Sequence, residues 1–163
     1  MSFDGVVRGV KDDDLNYPHD SQRYQLGARH FKSGSEYVYV YNAGGSSIGT
    51  GKYCVLQDIA NSLTSGYSVT VTNASLVGRI AGVAQNTFTT TQYGFVMIRG
   101  TSLVAVDSGQ ISAPAGADLC LGTDGGFRPA VSSMSVGDIF GQAMNSFITT
   151  VGTSKARIFG SVL

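Results

Sequence analysis

The chain divides into two regimes of hydrophobic patterning. From Glu36 onward, apolar and polar positions alternate with a period of two. In "EYVYVYN", Tyr37, Tyr39 and Tyr41 share one face of a pleat, and Val38 and Val40 share the other. The runs "KYCVLQ", "GYSVTVTN", "YGFVMIRG", "TSLVAVDSG", "ADLCLG" and "KARIFGSVL" are of the same kind. Turn signals separate them at Gly44-Gly45, Ser65-Gly66, Ser108-Gly109, Pro114 and Asp124-Gly125-Gly126. Short strands about eight to twelve residues apart predict an all-β body, a β-sandwich or β-barrel. Only "LQDIANSLTSG", Leu56 to Gly66, has helical spacing, and it predicts one short turn of helix.

Residues 1–35 follow no period. "KDDDLNYPHDSQRYQLGARHFKSG" holds both histidines and many charges, with few apolar residues. Such a segment cannot bury enough surface to fold alone. It reads as an extended N-terminal arm that becomes ordered against another surface, or else as a solvated tail. The expected organisation is an arm over 1–35 and a single β domain over 36–163.

The β domain repeats itself. "VGRIAGVAQNTFTTT" (Val77 to Thr91) aligns without gaps to "VGDIFGQAMNSFITT" (Val136 to Thr150), with nine of fifteen positions identical. From Gly78 to Thr90 every match is an even-numbered residue, so one strand face is held and the other varies. The held face is rich in small residues, which let another backbone approach closely. Asn86 on that face needs hydrogen-bond partners and is expected to tie down a turn. Upstream, "YVYVYNAGGSSIGTGKYCVL" matches "TSLVAVDSGQISAPAGADLCLG" more loosely, setting Ile48, Gly51 and Cys54 against Ile111, Gly116 and Cys120. These matches predict two similar units, 36–99 and 100–163, in a pseudo-twofold relation. Each is small for an independent core, so the two are expected to pack as one body.

"NAGGSSIGTGKY" (Asn42 to Tyr53) superficially resembles a phosphate loop. In such a loop four residues separate the first Gly from Gly-Lys, and Ser or Thr follows. Here the first position is Ser46 and Gly51-Lys52 is followed by Tyr53. The next residues favour a strand, whereas the anion site needs a helix N-terminus. The matching segment "DSGQISAPAGAD" shares turn residues and has no lysine. The loop is therefore a turn between strands.

Composition narrows the function. Charged residues are only 13% of the chain, and 11 basic residues balance 11 acidic ones. Soluble domains carry about 25% charge and usually a net charge away from zero, so much of this surface is expected to be covered by other subunits. A neutral chain is not expected to bind nucleic acid. No run of eighteen apolar residues suggests a membrane span, and the N-terminus lacks a signal-peptide core, so cytosolic synthesis is expected. Cys54 and Cys120 read as buried small hydrophobes. No catalytic, cofactor-binding or metal-binding set is apparent. His19 and His30 lie in the arm, Glu36 is the only Glu, and Asp12, Asp13 and Asp14 lack the alternating ligands, glycine and distal glutamate of a calcium loop. The tyrosine row at 37, 39 and 41 suits an interface or a core, and is also the one candidate platform for a glycan.

The arm leading to "LGARHFKSGSEYVYVYNAGGSSIGTGKYCVL", and the later rhythm "VGRIAGVAQNTFTTTQYGFVMIRGTSLVAVDSGQISAPAGADLCLGTDGGFRP", resemble the small all-β capsid decoration (cement) or head-fibre proteins of tailed bacteriophages. The resemblance spans nearly the whole chain and rests on strand rhythm and glycine placement. It implies a non-enzymatic virion protein, made in the host bacterial cytoplasm, that binds the outer capsid surface and stabilises it by bridging major capsid subunits. It also implies a homo-oligomer, in particular a trimer. On that reading the capsid-binding residues of the arm are Asp12, Asp13, Asp14, Tyr17, Arg23, Tyr24 and Arg29, and the subunit interface is Tyr37, Tyr39 and Tyr41. The alternative is a glycan- or receptor-binding β module of the phage particle.

Overall fold

A computed structural model describes residues 9–56, 67–70, 80–107, 112–122, 125–130, 139–146 and 153–159. A 3-10 turn, Asp12–Leu15, precedes ten strands. These are β1 (Arg29–Lys32), β2 (Ser35–Asn42), β3 (Tyr53–Leu56), β4 (Ser68–Thr70), β5 (Ile80–Ala84), β6 (Tyr93–Ala105), β7 (Asp118–Leu121), β8 (Phe127–Pro129), β9 (Gly141–Ala143) and β10 (Thr153–Ile158). They form one mixed, hydrogen-bonded sheet, so the all-β expectation holds. The helical turn expected over Leu56 to Gly66 lies, beyond Leu56, outside the described residues.

The sheet curls back on itself in each half. β2 pairs antiparallel with β6, β6 with β5, β5 with β3 and β3 with β4, and β4 returns to β2 in parallel at Tyr41↔Ser68. In the second half, β6 pairs antiparallel with β10, β10 with β9, β9 with β7 and β7 with β8, and Phe127 of β8 returns in parallel to Val106. Loop hydrogen bonds correspond as well. Ala43 N–H donates to Val69 O and Asp107 N–H to Phe127 O. Gly51 N–H donates to Ala84 O and Gly116 N–H to Ala143 O.

One boundary differs from the sequence reading. The runs "YGFVMIRG" and "TSLVAVDSG", read as two strands, are joined through Arg99 and Gly100 in the continuous β6. Residues up to Arg99 pair with β2 and those from Gly100 with β10. The strand changes partners at Gly100 without a turn, and its φ of 132° absorbs the bend there. A second difference concerns the cysteines. In the ladders Cys54 faces Gly82, whereas Leu119 and not Cys120 faces Gly141. The glycines themselves do what small residues were expected to do. A Cβ on Gly82 would stand 2.7 Å from Met97 O, and one on Gly141 would stand 2.7 Å from Arg157 O.

Period two decides which core each side chain joins. Val38, Val40, Val96 and Ile98 point into the first half with Ile48, Cys54, Val69 and Phe88. Tyr53, Val55, Val83 and Met97, facing the other way, pack with Val104, Leu119, Phe127 and Ile158 of the second half. Tyr53 links the halves: its hydroxyl donates to Gly122 O at 2.7 Å. The run Gly94–Ile98 is buried at every position, because the opposite face of β6 is covered too. β10 keeps a strict exposed-buried alternation, the mark of a strand with one wet face.

Candidate functional site

The cover on β2 and β6 is the N-terminal segment itself. Over its described residues, the segment expected as an extended arm is folded back on the body. Leu15 and Ala28 pack with Tyr39 and Phe95, flanked by Tyr24 and Leu26. His19 bridges Tyr93 by two main-chain hydrogen bonds of 2.8 and 2.9 Å. Asn86 Nδ2 donates to Leu15 O at 3.0 Å, so this side chain fastens the segment rather than a turn. Arg29–Lys32 adds strand β1 to the edge of β2 through a two-residue turn, Ser33-Gly34, with φ of 50° and 78°. Two positive φ values in succession mark a type I′ hairpin turn, which serine disguises in the sequence.

A polar network sits beneath the segment. The Tyr39 hydroxyl lies 2.9 Å from His19 Nδ1 and accepts from Arg23 N–H at 3.2 Å. His19 Nε2 lies 3.5 Å from Asp14 Oδ1. Asp14 also accepts from Arg23 Nη1 at 2.9 Å and from the Tyr24 hydroxyl. The Tyr24 hydrogen bond, helped by His19 and Arg23, holds the Asp14 carboxyl below the usual carboxylate range, although burial works the other way. Burial, reinforced by Arg23, pushes the His19 pKa down against the pull of Asp14. Burial raises the Tyr39 pKa.

The His19 and Asp14 shifts have the same stability sign. As pH falls below about 6.5, the unfolded chain takes up a proton that folded His19 resists, so stability drops. The depressed Asp14 adds stability that is lost only further down, below its ordinary value of 3.8. The melting temperature is therefore expected to fall between pH 7.5 and 5. His19→Gln should melt lower at pH 7.5 but with a flatter pH dependence, measured by thermal denaturation. Equal slopes for the two proteins would mean that His19 is not the titrating group.

The proposed arm residues thus separate by environment. Asp14, Arg23 and Tyr24 belong to the network, Arg23 with its side chain still exposed, and Arg29 pairs with Glu36 at 2.6 Å. Asp12 reaches Lys32 at 3.2 Å and stays largely exposed. Asp13 and Tyr17 are exposed. The tyrosine row separates too. Tyr39 is wholly enclosed within its own chain, which removes it from any subunit interface. Tyr37 and Tyr41 are half-buried, Tyr41 lying against Tyr93 with ring centroids 4.8 Å apart.

The glycine-rich loop is a turn, as its spacing indicated. Gly49–Lys52 closes with a 3.0 Å hydrogen bond, and Pro114–Ala117 closes in the same way at 3.1 Å. Gly51 and Gly116 hold the third place with φ of 78° and 85°. Ile48 pairs with Phe88, and Asn42 Nδ2 donates to Ser46 O and Thr89 O, stitching the loop down. Both cysteines are buried, and burial pushes the Cys54 thiol far up, which suits a packing role and not a nucleophile.

The described surface holds one site that the sequence did not reveal. A groove of about 740 Å³ lies between the β1–β2 turn, the middle of β6 and the end of β10. Lys32, Arg99 and Arg157 line it, with Tyr37, Ile158 and Phe159 as its apolar wall. Its cations come from three distant parts of the chain, so no local motif announced it.

No protein-family model matches the chain, and no curated protein matches it. Among solved structures, the fold is similar to the head fiber gp8.5 N base of bacteriophage phi29. The TM-score is 0.54 at 15% sequence identity, covering 78% of this chain and 98% of that one.

Proposed function

We propose that this protein is a structural, non-enzymatic component of the outer capsid surface of a tailed bacteriophage, bridging major capsid subunits as a homotrimer. The observation that carries this reading is the likeness of its fold to a phage head-fibre base over nearly all of that base. The low charge and zero net charge support a surface that is largely covered in the particle. Asp12, Asp13, Tyr17 and Arg23 remain the proposed capsid contacts of the N-terminal segment, since their side chains are exposed. Self-association is better supported through Leu103 and Met144 than through the tyrosine row. Both are exposed, and they flank Lys155 across adjacent strands. We also infer that the body is a duplicated five-strand unit in a pseudo-twofold relation, on the strength of the matching pairings in the two halves. The glycan-binding alternative has less support, because Tyr39 at the centre of its platform is enclosed.

The test is co-sedimentation of the purified protein with expanded heads of the phage that encodes it. Saturable binding is expected, with a native mass of about three times 17.0 kDa beforehand. The triple variant Asp12→Asn, Asp13→Asn, Tyr17→Ala should bind heads at least tenfold more weakly with an unchanged melting temperature. Failure of the wild-type protein to sediment with heads would overturn the reading.

A further inference from the structure

We propose that the groove between Lys32, Arg99 and Arg157 binds an extended, carboxylate-rich peptide segment of a partner protein. The inference rests on the capsid-surface reading only for where that partner would be found.

The first argument is charge. Arg23, Arg29 and Lys32 pair with carboxylates of this chain, Asp14, Glu36 and Asp12. Arg99 and Arg157 are exposed and take no carboxylate among the described residues. None of the groove's lining residues is acidic. Of the described acidic groups, Asp12 is on Lys32, Glu36 stands opposite Arg99 in the ladder but is held by Arg29, and Asp118 lies two strands from Arg157, beyond Gln142. Among the described residues, two guanidinium groups without a carboxylate partner thus line one groove of a chain of zero net charge. A planar guanidinium meets a carboxylate through two parallel hydrogen bonds, the strongest form of such a contact.

The second argument is shape. The volume falls within the usual range for ligand sites, and the walls are mixed. The half-exposed Phe159, with Tyr37 and Ile158, offers an apolar wall beside the cations. A peptide alternating acidic and apolar side chains satisfies both. Nucleic acid is disfavoured, because it would need a continuous basic face and this chain carries equal numbers of acidic and basic residues.

The experiment titrates the ¹⁵N-labelled full-length protein with acetyl-Asp-Ile-Asp-Ile-amide and follows amide shifts. Shifts are expected at Lys32–Ser35, Arg99–Thr101 and Arg157–Phe159. The Asn-Ile-Asn-Ile analogue should bind at least tenfold more weakly. The variant Arg99→Gln, Arg157→Gln should also lose at least tenfold while keeping its melting temperature. Equal binding of the neutral analogue, or stronger binding of inorganic phosphate or an eight-residue thymidine strand, would overturn the proposal, as would unchanged binding by the double variant. Peptide binding without any head binding would uphold the groove and remove the capsid reading. Head binding that survives the double variant, with no peptide binding, would do the reverse.

Discussion

Tyr39→Ala is expected to cost about 3–5 kcal/mol, a large part of the stability of a domain this size. The ring is wholly buried and lies 4.9 Å from Phe95, 5.3 Å from Tyr24 and 5.7 Å from His19, measured between centroids. Removing it opens a cavity where the segment 9–35 packs on the β2–β6 face. It also strands two polar groups, His19 Nδ1 and the Arg23 N–H, that have the Tyr39 hydroxyl as their partner. Tyr39→Phe separates the two effects. It keeps the ring and should cost about 1–3 kcal/mol for the unmet hydrogen bonds alone. Chemical denaturation at pH 7.5 measures both. A loss under about 1 kcal/mol for the alanine variant would mean that the N-terminal segment contributes little to the fold.

The second large effect is a contrast between equivalent turns. Gly51 and Gly116 occupy the same place in the turns before β3 and β7, both with positive φ. Alanine at either position meets the left-handed conformation, a penalty of about 1–2 kcal/mol. At Gly116 the added Cβ would meet nothing within 4 Å. At Gly51 it would stand 2.8 Å from Ala105 N and 3.2 Å from Val104 C, both backbone atoms of β6. Ala105 N–H donates to Gly51 O at 2.8 Å, so the strand cannot retreat without breaking that bond. Gly51→Ala should therefore exceed Gly116→Ala by at least about 2 kcal/mol, since overpacking against a fixed neighbour typically costs about 1–3 kcal/mol beyond conformation. Equal losses in denaturant melts would show that the contact between the first turn and β6 yields easily.

The body was legible where the backbone is regular. The alternation of β2 places valines and tyrosines on opposite faces, and the held glycines of the repeat lie where a neighbouring carbonyl crowds the strand. The N-terminal segment was not legible, for a physical reason. Leu15, Tyr24, Leu26 and Ala28 reach the core from a 3-10 turn and irregular chain, where no period relates one buried residue to the next. Polar and charged, the segment reads from sequence as an arm for another surface or as a solvated tail. Much of that polarity is used internally, in the contacts of Asp14, His19, Arg23 and Tyr24. The runs "YGFVMIRG" and "TSLVAVDSG" form one strand because a glycine can bend a strand as well as end it. The groove was hidden because Lys32, Arg99 and Arg157 are neighbours only once β1, β6 and β10 are in place.

The most direct measurement is a cryo-electron microscopy reconstruction of the phage particle, with and without this protein. The account predicts extra density on the outer face of the shell, present only with the protein, that fits this β fold with Asp12, Asp13 and Tyr17 toward the capsid. Identical shells in the two reconstructions, or density confined to the tail, would contradict it.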